Sequence, residues 1–237
     1  MQEKTKIRLL RISSNLAIFF MLGVVMLVTT VHEIRSVFSI NDNQPYYLGN
    51  TASPNVSLMI NVYWGNEYLP SMLNTLAEEN IKATFFVGGT WASQYSDLLR
   101  QIVGAGHEIG NHGFFHKDHK NLNYEQNQNE IYNTHKLIQE LSGIEMMLFA
   151  PPSGSFSKTT LQVAGELGYR TIMWSKDTID WRDKDKSLIY NRAIKNPKNG
   201  DLILMHPTEA TTKMLGDIIK FYKNNDFNLV TVSENIG

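Results

Sequence analysis

The chain has no cysteine among its 237 residues. Disulfide bonds and thiolate metal ligands are therefore excluded, and any metal site must use His, Asp, Glu or Asn side chains. The formal net charge is −1, so the chain lacks the basic excess that nucleic-acid-binding proteins carry. Hydrophobic residues make up 42% and charged residues 19% of the chain, which suits one globular domain with a full core plus an appendage.

The N-terminal segment has the pattern of a membrane anchor. Residues 1–11 carry four basic side chains, and residues 12–31 are uncharged and mostly apolar. A helix of that length can cross a bilayer. The basic flank predicts a single-pass protein whose N-terminus is cytoplasmic and whose main domain lies outside the cell membrane. A cleaved signal peptide is the alternative, although residues 29–33 offer no small-x-small cleavage site.

Residues 32–55 are polar and rich in Asn, Ser and Pro, without a sustained hydrophobic period. This composition predicts an extracellular linker. A short packed arm that uses Tyr46, Tyr47 and Leu48 is the alternative. The domain proper is expected to occupy residues 56–237.

Strand-like and helix-like segments alternate through this domain. Seven short apolar segments predict strands, at 57–62, 82–87, 107–111, 146–149, 170–174, 201–205 and 228–232. Helical periodicity falls between them, at 67–79, 93–103, 124–141, 157–167, 186–194 and 211–222. This alternation is typical of an α/β fold in which helices bury a parallel sheet on both faces.

Polar and aromatic clusters follow the predicted strands, at 63–67, 112–119, 150–155, 177–181 and 206–209. The carboxyl ends of parallel strands meet at one rim, so these clusters predict a single pocket. His112 and His116 are four residues apart, a spacing that lets two imidazole nitrogens bind one metal ion. Two unrelated surface histidines are the alternative.

The order and spacing of these motifs resemble the polysaccharide deacetylase family (NodB homology, carbohydrate esterase 4) over residues 56–236. His112-Gly-Phe-Phe-His116 corresponds to the family's His-(Ser/Thr)-x-x-His, which supplies two metal ligands. Asp177-Thr-Ile-Asp180-Trp181 and Leu204-Met-His206 match the Asp-x-x-Asp-Trp and Leu-x-His motifs. The resemblance implies a distorted (β/α)7-type barrel. It also implies an enzyme that uses one metal ion, usually zinc, to hydrolyse the N-acetyl groups of peptidoglycan or chitin-like sugars.

Two family motifs are altered. The family has Thr-Phe-Asp-Asp-Gly after its first strand, where one aspartate is the general base and the next is the third metal ligand. If strand ends are aligned, Asn61 takes the base position, and if glycines are aligned, Tyr63 and Trp64 replace both aspartates. The arginine of the third motif is Ala150. The Trp-Gly-Asn-Glu loop that follows resembles a sporulation-associated branch from spore-forming Gram-positive bacteria.

The resemblance implies that His206 protonates the departing amine and that Asp180 holds it for this task. Trp181 and Leu204 are expected to wall the pocket for the acetyl methyl group. Loop capping by Asp180, core packing of Trp181 and a purely structural His206 are the alternatives.

Glu67 is the nearest carboxylate that could replace a missing aspartate, as base or as ligand. Its alternative is a glutamate favoured by the dipole of a helix N-terminus.

Two functions follow from this sequence. The first is a membrane-anchored, metal-dependent N-deacetylase of cell-wall or chitin-like glycan, weakened by the missing aspartates and arginine. The second is a catalytically inactive deacetylase-fold protein that binds glycan or a partner during envelope or spore assembly.

Overall fold

The computed structural model describes residues 19–24, 26 and 44–237. Residues 19–24 and 26 are helical. The rest of the predicted anchor at 12–31, the basic segment 1–11 and residues 32–43 of the linker lie outside the described residues. Among the residues that are described, none of the helices combines the length and the apolar character needed to span a bilayer. The fold is that of the compact unit Asn43–Gly237.

Eight strands form one parallel sheet in this unit. They are β1 (Asn55–Val62), β2 (Thr84–Val87), β3 (Glu108–Asn111), β4 (Leu148–Phe149), β5 (Arg170–Thr171), β6 (Lys176–Asp177), β7 (Leu202–Met205) and β8 (Asn228–Leu229). The strand order is β5-β4-β3-β2-β1-β7-β6, and β8 pairs with the start of β1. In the described part of the chain β5 and β6 are not paired with each other, so the sheet is an open half-barrel.

This topology corrects the expected seven-stranded barrel in two ways. The strand that sequence analysis missed is β6, which has only two residues and pairs with Ile203 and Leu204 of β7. A two-residue strand with polar side chains carries no hydrophobic signal. The predicted seventh strand ends at Leu229, because Thr231 and Glu234 form a capping box that begins a helix.

The helices surround the sheet. They are α1 (Leu69–Glu78), α2 (Gly89–Gln94), α3 (Ser96–Gly104), α4 (Tyr124–Ser142), α5 (Lys158–Glu166), α6 (Lys186–Ile194), α7 (Glu209–Asn224) and α8 (Val232–Ile236). The helix predicted at 93–103 is two helices, because Tyr95 leaves helical backbone geometry at φ −123° and ψ 44°. The other five predicted helices match to within a few residues.

Strand β1 divides the core into two layers. Leu58, Ile60 and Val62 pack into the large cluster that faces the helices. Met59 faces the other side, where it joins a smaller cluster that includes Phe86 and other buried apolar side chains. Successive strand residues point to opposite faces, so Asn61 continues the Met59 face at the carboxyl end of the strand.

Residues 44–55 pack against the edge of this domain. The Tyr46 amide donates to the Thr171 carbonyl at 2.9 Å, and the Met173 amide donates to the Tyr46 carbonyl at 2.8 Å. The Gly49 amide donates to the Gly200 carbonyl at 2.7 Å. This part of the predicted linker therefore has the form of the packed arm.

Gly200 provides a test of this packing. It has a φ of +83°, and an added Cβ would lie 2.7 Å from the Gly49 carbonyl oxygen. We expect Gly200→Ala to lower the free energy of unfolding by at least the ~1–2 kcal/mol that left-handed backbone costs a residue with a Cβ. Gly104→Ala is the matched control, because nothing lies within 4 Å of its Cβ position. Urea unfolding of the full chain in a mild detergent measures both, and equal stability of the two variants would contradict this account of the arm.

A buried histidine gives the domain a predicted pH dependence. Burial, with a smaller contribution from the Lys82 ammonium, lowers the pKa of His107 from 6.5 to about 4. Its Nδ1 accepts the Ala83 amide at 3.2 Å, which fits a neutral ring. Between these two pKa values the unfolded chain binds a proton that the folded chain excludes, so stability falls as the pH drops from 6.5 towards 4.

The variant His107→Asn keeps an acceptor for Ala83 and removes the titrating ring. We expect its free energy of unfolding to fall less steeply over this pH range, by up to about 1.4 kcal/mol per pH unit. Urea unfolding at several pH values measures the slope. Identical slopes for the two proteins would show that His107 titrates normally.

Candidate active site

The five polar and aromatic clusters that follow the strands meet in one cavity. Its volume is about 510 Å³, and each cluster contributes at least one lining residue. The loop after β1 contributes aromatic side chains, the loop after β3 contributes two histidines, and the loop after β7 contributes His206. The predicted single pocket at the carboxyl rim is therefore present.

His112 and His116 lie side by side in this cavity, with ring centroids 5.1 Å apart. The Nδ1 atom of His112 lies 2.7 Å from the Ala150 carbonyl oxygen. A carbonyl oxygen can only accept, so Nδ1 carries the proton and Nε2 remains available as a ligand or acceptor. Burial lowers the pKa of both histidines below its usual range, so both rings are neutral at neutral pH, as metal ligands must be.

Glu130 of α4 holds the loop that carries these histidines. Its Oε2 atom accepts the backbone amides of Phe114 and Phe115 at 2.9 and 2.8 Å. Lys117 lies 3.5 Å from the other carboxylate oxygen. Behind this loop His119 is fully buried and bonds to Asn127 at 2.8 Å, so it is a structural histidine that does not line the cavity.

The metal donors in this cavity are too few for a catalytic zinc site. Such a site uses three protein ligands and leaves a fourth position open. Within the described ranges, no group of three His, Cys, Asp or Glu side chains is placed to hold a metal ion. Among the other lining residues, Asn61 Oδ1 is buried and has no hydrogen-bond partner in the described part of the chain, and Asp177 Oδ1 accepts the Ile179 amide. Two imidazoles and a neutral amide oxygen do not fit the zinc centre that the sequence motif predicts.

Aromatic rings of the loop after β1 lie against His116 and His206. The ring of Tyr63 lies 4.7 Å from that of His116 and its hydroxyl accepts from Thr90 at 2.9 Å. Trp64 stacks on His206, with ring centroids 5.7 Å apart and planes tilted by 7°. Gly65 makes this stacking possible: its φ is +80°, and an added Cβ would lie 2.0 Å from the Pro207 carbonyl oxygen.

The second half of the site is intact. The Nδ1 atom of His206 lies 2.7 Å from Asp180 Oδ1, and Asp180 Oδ2 accepts the His206 backbone amide at 2.7 Å. Thr211 donates its hydroxyl to the same carboxylate, whose side chain is fully buried. This arrangement fixes the ring so that Nδ1 carries the proton and Nε2 can exchange one with a ligand. Asp180 therefore contacts both the ring and the backbone amide of His206, and its role in catalysis stays a prediction.

Backbone strain is concentrated around the cavity. Among the described residues other than glycine, six have a positive φ: Asn80, His116, Ser153, Ile179, Asn196 and Asp226. Asn and Asp tolerate this conformation, whereas a β-branched residue is an outlier. The three positions that are neither Asn nor Asp all lie in the loops around the cavity, where surrounding contacts must hold them. Asp177 does so at Ile179, because its Oδ1 accepts the Ile179 amide at 2.8 Å.

The remaining candidate residues separate into two groups. Trp181 and Leu204 line the cavity as expected, and Trp181 is 56% exposed, which excludes core packing. Glu67 is exposed, lies two residues before α1 and does not line the cavity. The structure therefore gives no support to Glu67 as a replacement base or ligand. Sequence analysis did not propose Trp174, which also lines the cavity, because it follows an apolar segment without a motif.

Known proteins similar to this chain belong to the family that its motifs resemble. A family model described as polysaccharide deacetylase matches residues 49–172. The chain is 40% identical over 191 residues to the Bacillus subtilis protein YlxY, an alignment that covers 81% of this chain and 60% of that protein. It is 34% identical over 173 residues to a peptidoglycan-N-acetylglucosamine deacetylase of Bacillus cereus, covering 70% of this chain and 81% of that protein.

Solved structures give the same result. A carbohydrate esterase 4 family pseudoenzyme from Bacillus anthracis, BA3943, superposes with a TM-score of 0.80 at 34% identity, over 82% of this chain and 69% of that chain. A mutant of BA3943 with restored enzymatic activity gives the same TM-score. Bacillus subtilis PdaA, a family 4 carbohydrate esterase, superposes with a TM-score of 0.77 at 28% identity, over 85% of this chain and 88% of that chain. This chain belongs to the polysaccharide deacetylase family, whose enzymes are hydrolases that act on carbon–nitrogen bonds.

Proposed function

We propose that this protein binds amino-sugar glycan of the cell-wall type in its cavity and does not hydrolyse it at the rate of a complete family enzyme. The observation that carries this proposal is that, among the described residues, no third His, Asp or Glu side chain completes a metal-binding group with His112 and His116. Amide hydrolysis needs an activated water, and a metal site with an adjacent carboxylate base is how such sites supply it. The likeness to a family pseudoenzyme supports the same conclusion.

The residues that remain suit binding. Trp64 and Trp181 are 42% and 56% exposed, so each presents apolar ring surface to a ligand. Aromatic rings of this kind pack against the apolar face of a sugar ring, while a few polar groups fix its orientation. His206, held by Asp180, supplies one such group.

A weak metal-dependent deacetylase is the second candidate. It is favoured by the intact His206–Asp180 pair and by the free Nε2 atom of His112. Asp180 is already committed to His206, and Glu67 would have to enter the cavity to serve as base. This candidate therefore needs a rearrangement of the loop after β1.

We also propose that the protein acts at the outer face of the cell membrane, in envelope or spore assembly. The support is the basic segment 1–11 followed by the apolar segment 12–31. A protease-protection assay on intact cells that carry a C-terminal tag tests this placement, and a tag protected in intact cells would contradict it.

Acetate release tests the proposed function. We expect the full chain to release no more acetate than its His112→Ala variant from N-acetylglucosamine oligomers or peptidoglycan, with zinc, with cobalt or with a chelator. The physical reason is that His112 and His116 form no three-ligand metal group with another described side chain, so the site lacks the activated water that hydrolysis needs. Acetate release is measured directly, and a complete family enzyme serves as the positive control.

Metal-dependent release that the His112→Ala variant loses would overturn this proposal in favour of the second candidate. Glu67→Gln would then identify the base. If this variant abolished release while zinc binding persisted, the loop after β1 would have to rearrange during turnover.

The affinity for zinc tests the role of the loop after β1. We expect the full chain to bind zinc weakly, and Tyr63→Asp combined with Trp64→Asp to bind it at least about tenfold more tightly, since even outer-shell changes alter metal affinity on this scale. Competition with a fluorescent chelator measures the affinity. Tyr63→Asn combined with Trp64→Asn is the matched control, because it removes the same rings without adding charge. Equal affinity in the two double variants would mean that these positions do not adjoin the metal.

A further inference from the structure

We propose that the cavity prefers an amino sugar whose amine is free and protonated over its N-acetylated form. This inference rests on the proposed glycan-binding function and names the ligand class. A complete family enzyme acts on the acetylated sugar, whereas the walls, charges and unpaired acceptor of this cavity suit a sugar ammonium group.

The walls of the cavity are rich in aromatic side chains. Tyr63, Trp64, Trp174 and Trp181 all line the cavity. One face of Trp64 is covered by His206, and the high exposure of Trp64 and Trp181 leaves ring surface for a ligand. Aromatic faces attract cations that lie within about 6 Å of the ring, and cages of such rings bind ammonium ligands.

The charged side chains that line the cavity also suit a cation. Asp177 lines it, and no lysine or arginine does so in the described part of the chain. The family's third-motif arginine is Ala150, and the donor set does not fit the zinc ion that would add two positive charges. Arg182, which lies 5.8 Å from the Trp181 ring, forms a two-point pair with Asp183 at 3.1 and 3.2 Å. The Arg182 pKa is raised mainly by Asp183 and also by Asp177, so this cation lies near the cavity's carboxylate without lining the cavity. Among the described lining residues, the fixed charge is that of Asp177.

The cavity also contains a buried hydrogen-bond acceptor without a donor among the described residues. Asn61 is 4% exposed and lines the cavity, and its Oδ1 atom has no hydrogen-bond partner among the described residues. A buried acceptor without a donor is costly, so a ligand that supplies a donor gains that free energy. A sugar ammonium carries three N–H donors, and an N-acetyl group carries one donor and a bulky neutral acyl group. The ammonium form therefore offers Asn61 more donors than the acetamide does, and it carries the positive charge that Asp177 attracts.

Calorimetric titration of the full chain in detergent tests this preference. The three probes are hexamers of β-1,4-linked glucosamine, N-acetylglucosamine and glucose, which present an ammonium, an acetamide and a hydroxyl group on otherwise similar chains. All titrations contain a chelator, so that no metal ion can bind the amine. They are run at a pH below the pKa of the sugar amine, so that the amine is protonated. We expect the glucosamine hexamer to bind at least about tenfold more tightly than the other two, a ratio that calorimetry resolves readily.

Two variants separate cavity binding from general attraction of a cation. Asp177→Asn keeps an oxygen for the Ile179 amide and removes the charge, so we expect the ratio of the glucosamine and N-acetylglucosamine affinities to fall towards one. Asp217→Asn removes an equivalent charge from an exposed position on α7 and is expected to keep the preference.

The outcomes distinguish this inference from the proposed function. Equal or tighter binding of the N-acetylglucosamine hexamer would overturn the inference and leave the proposed function standing. A preference that Asp217→Asn also loses would overturn it in favour of non-specific charge attraction. Failure of all three hexamers to bind would overturn the proposed function itself.

Discussion

The burial of β1 on both faces is the constraint on which the rest of the structure depends. This strand lies between β2 and β7 in parallel register, and its alternating side chains fill both layers of the core. The same alternation that sends Ile60 towards the helices and Met59 into the half-barrel brings Asn61 to the cavity. A shift of one residue would reverse every one of these positions. The loop after β1 therefore inherits its position from core packing, whatever chemistry it carries.

The two halves of the site differ in what this scaffold holds. Around His206, a buried carboxylate bonds to both the ring and the backbone amide, and Thr211 completes its coordination. On the side of His112 and His116, the cavity is lined by Tyr63, Trp64 and the amide of Asn61. The loss of the third-motif arginine is consistent with this change, because an arginine without its carboxylate would be an uncompensated cation in the pocket. The result is a coherent cavity with different chemistry.

Strain and close approach locate the site independently of its chemistry. His116, Ser153 and Ile179 hold backbone conformations that cost free energy. Gly65 passes so close to Pro207 that no side chain fits there. These features bring loops from opposite sides of the sheet into contact and seat Trp64 on His206.

Sequence patterns determined much of this fold because hydrophobic periodicity reports burial directly. The four-residue apolar strands at the centre and the helix Lys186–Ile194 were predictable from period alone. The capping box from Thr231 to Glu234 was readable but competed with an apolar run, and the two-residue strand β6 carried no signal at all. The motifs likewise determined that His112, His116, Asp180 and His206 share one pocket. Only the tertiary structure decided that Glu67 stays outside it, that Trp174 belongs to it and that Asn61 Oδ1 has no hydrogen-bond partner among the described residues. Those outcomes depend on where separate loops meet in space, which no local spacing along the chain encodes.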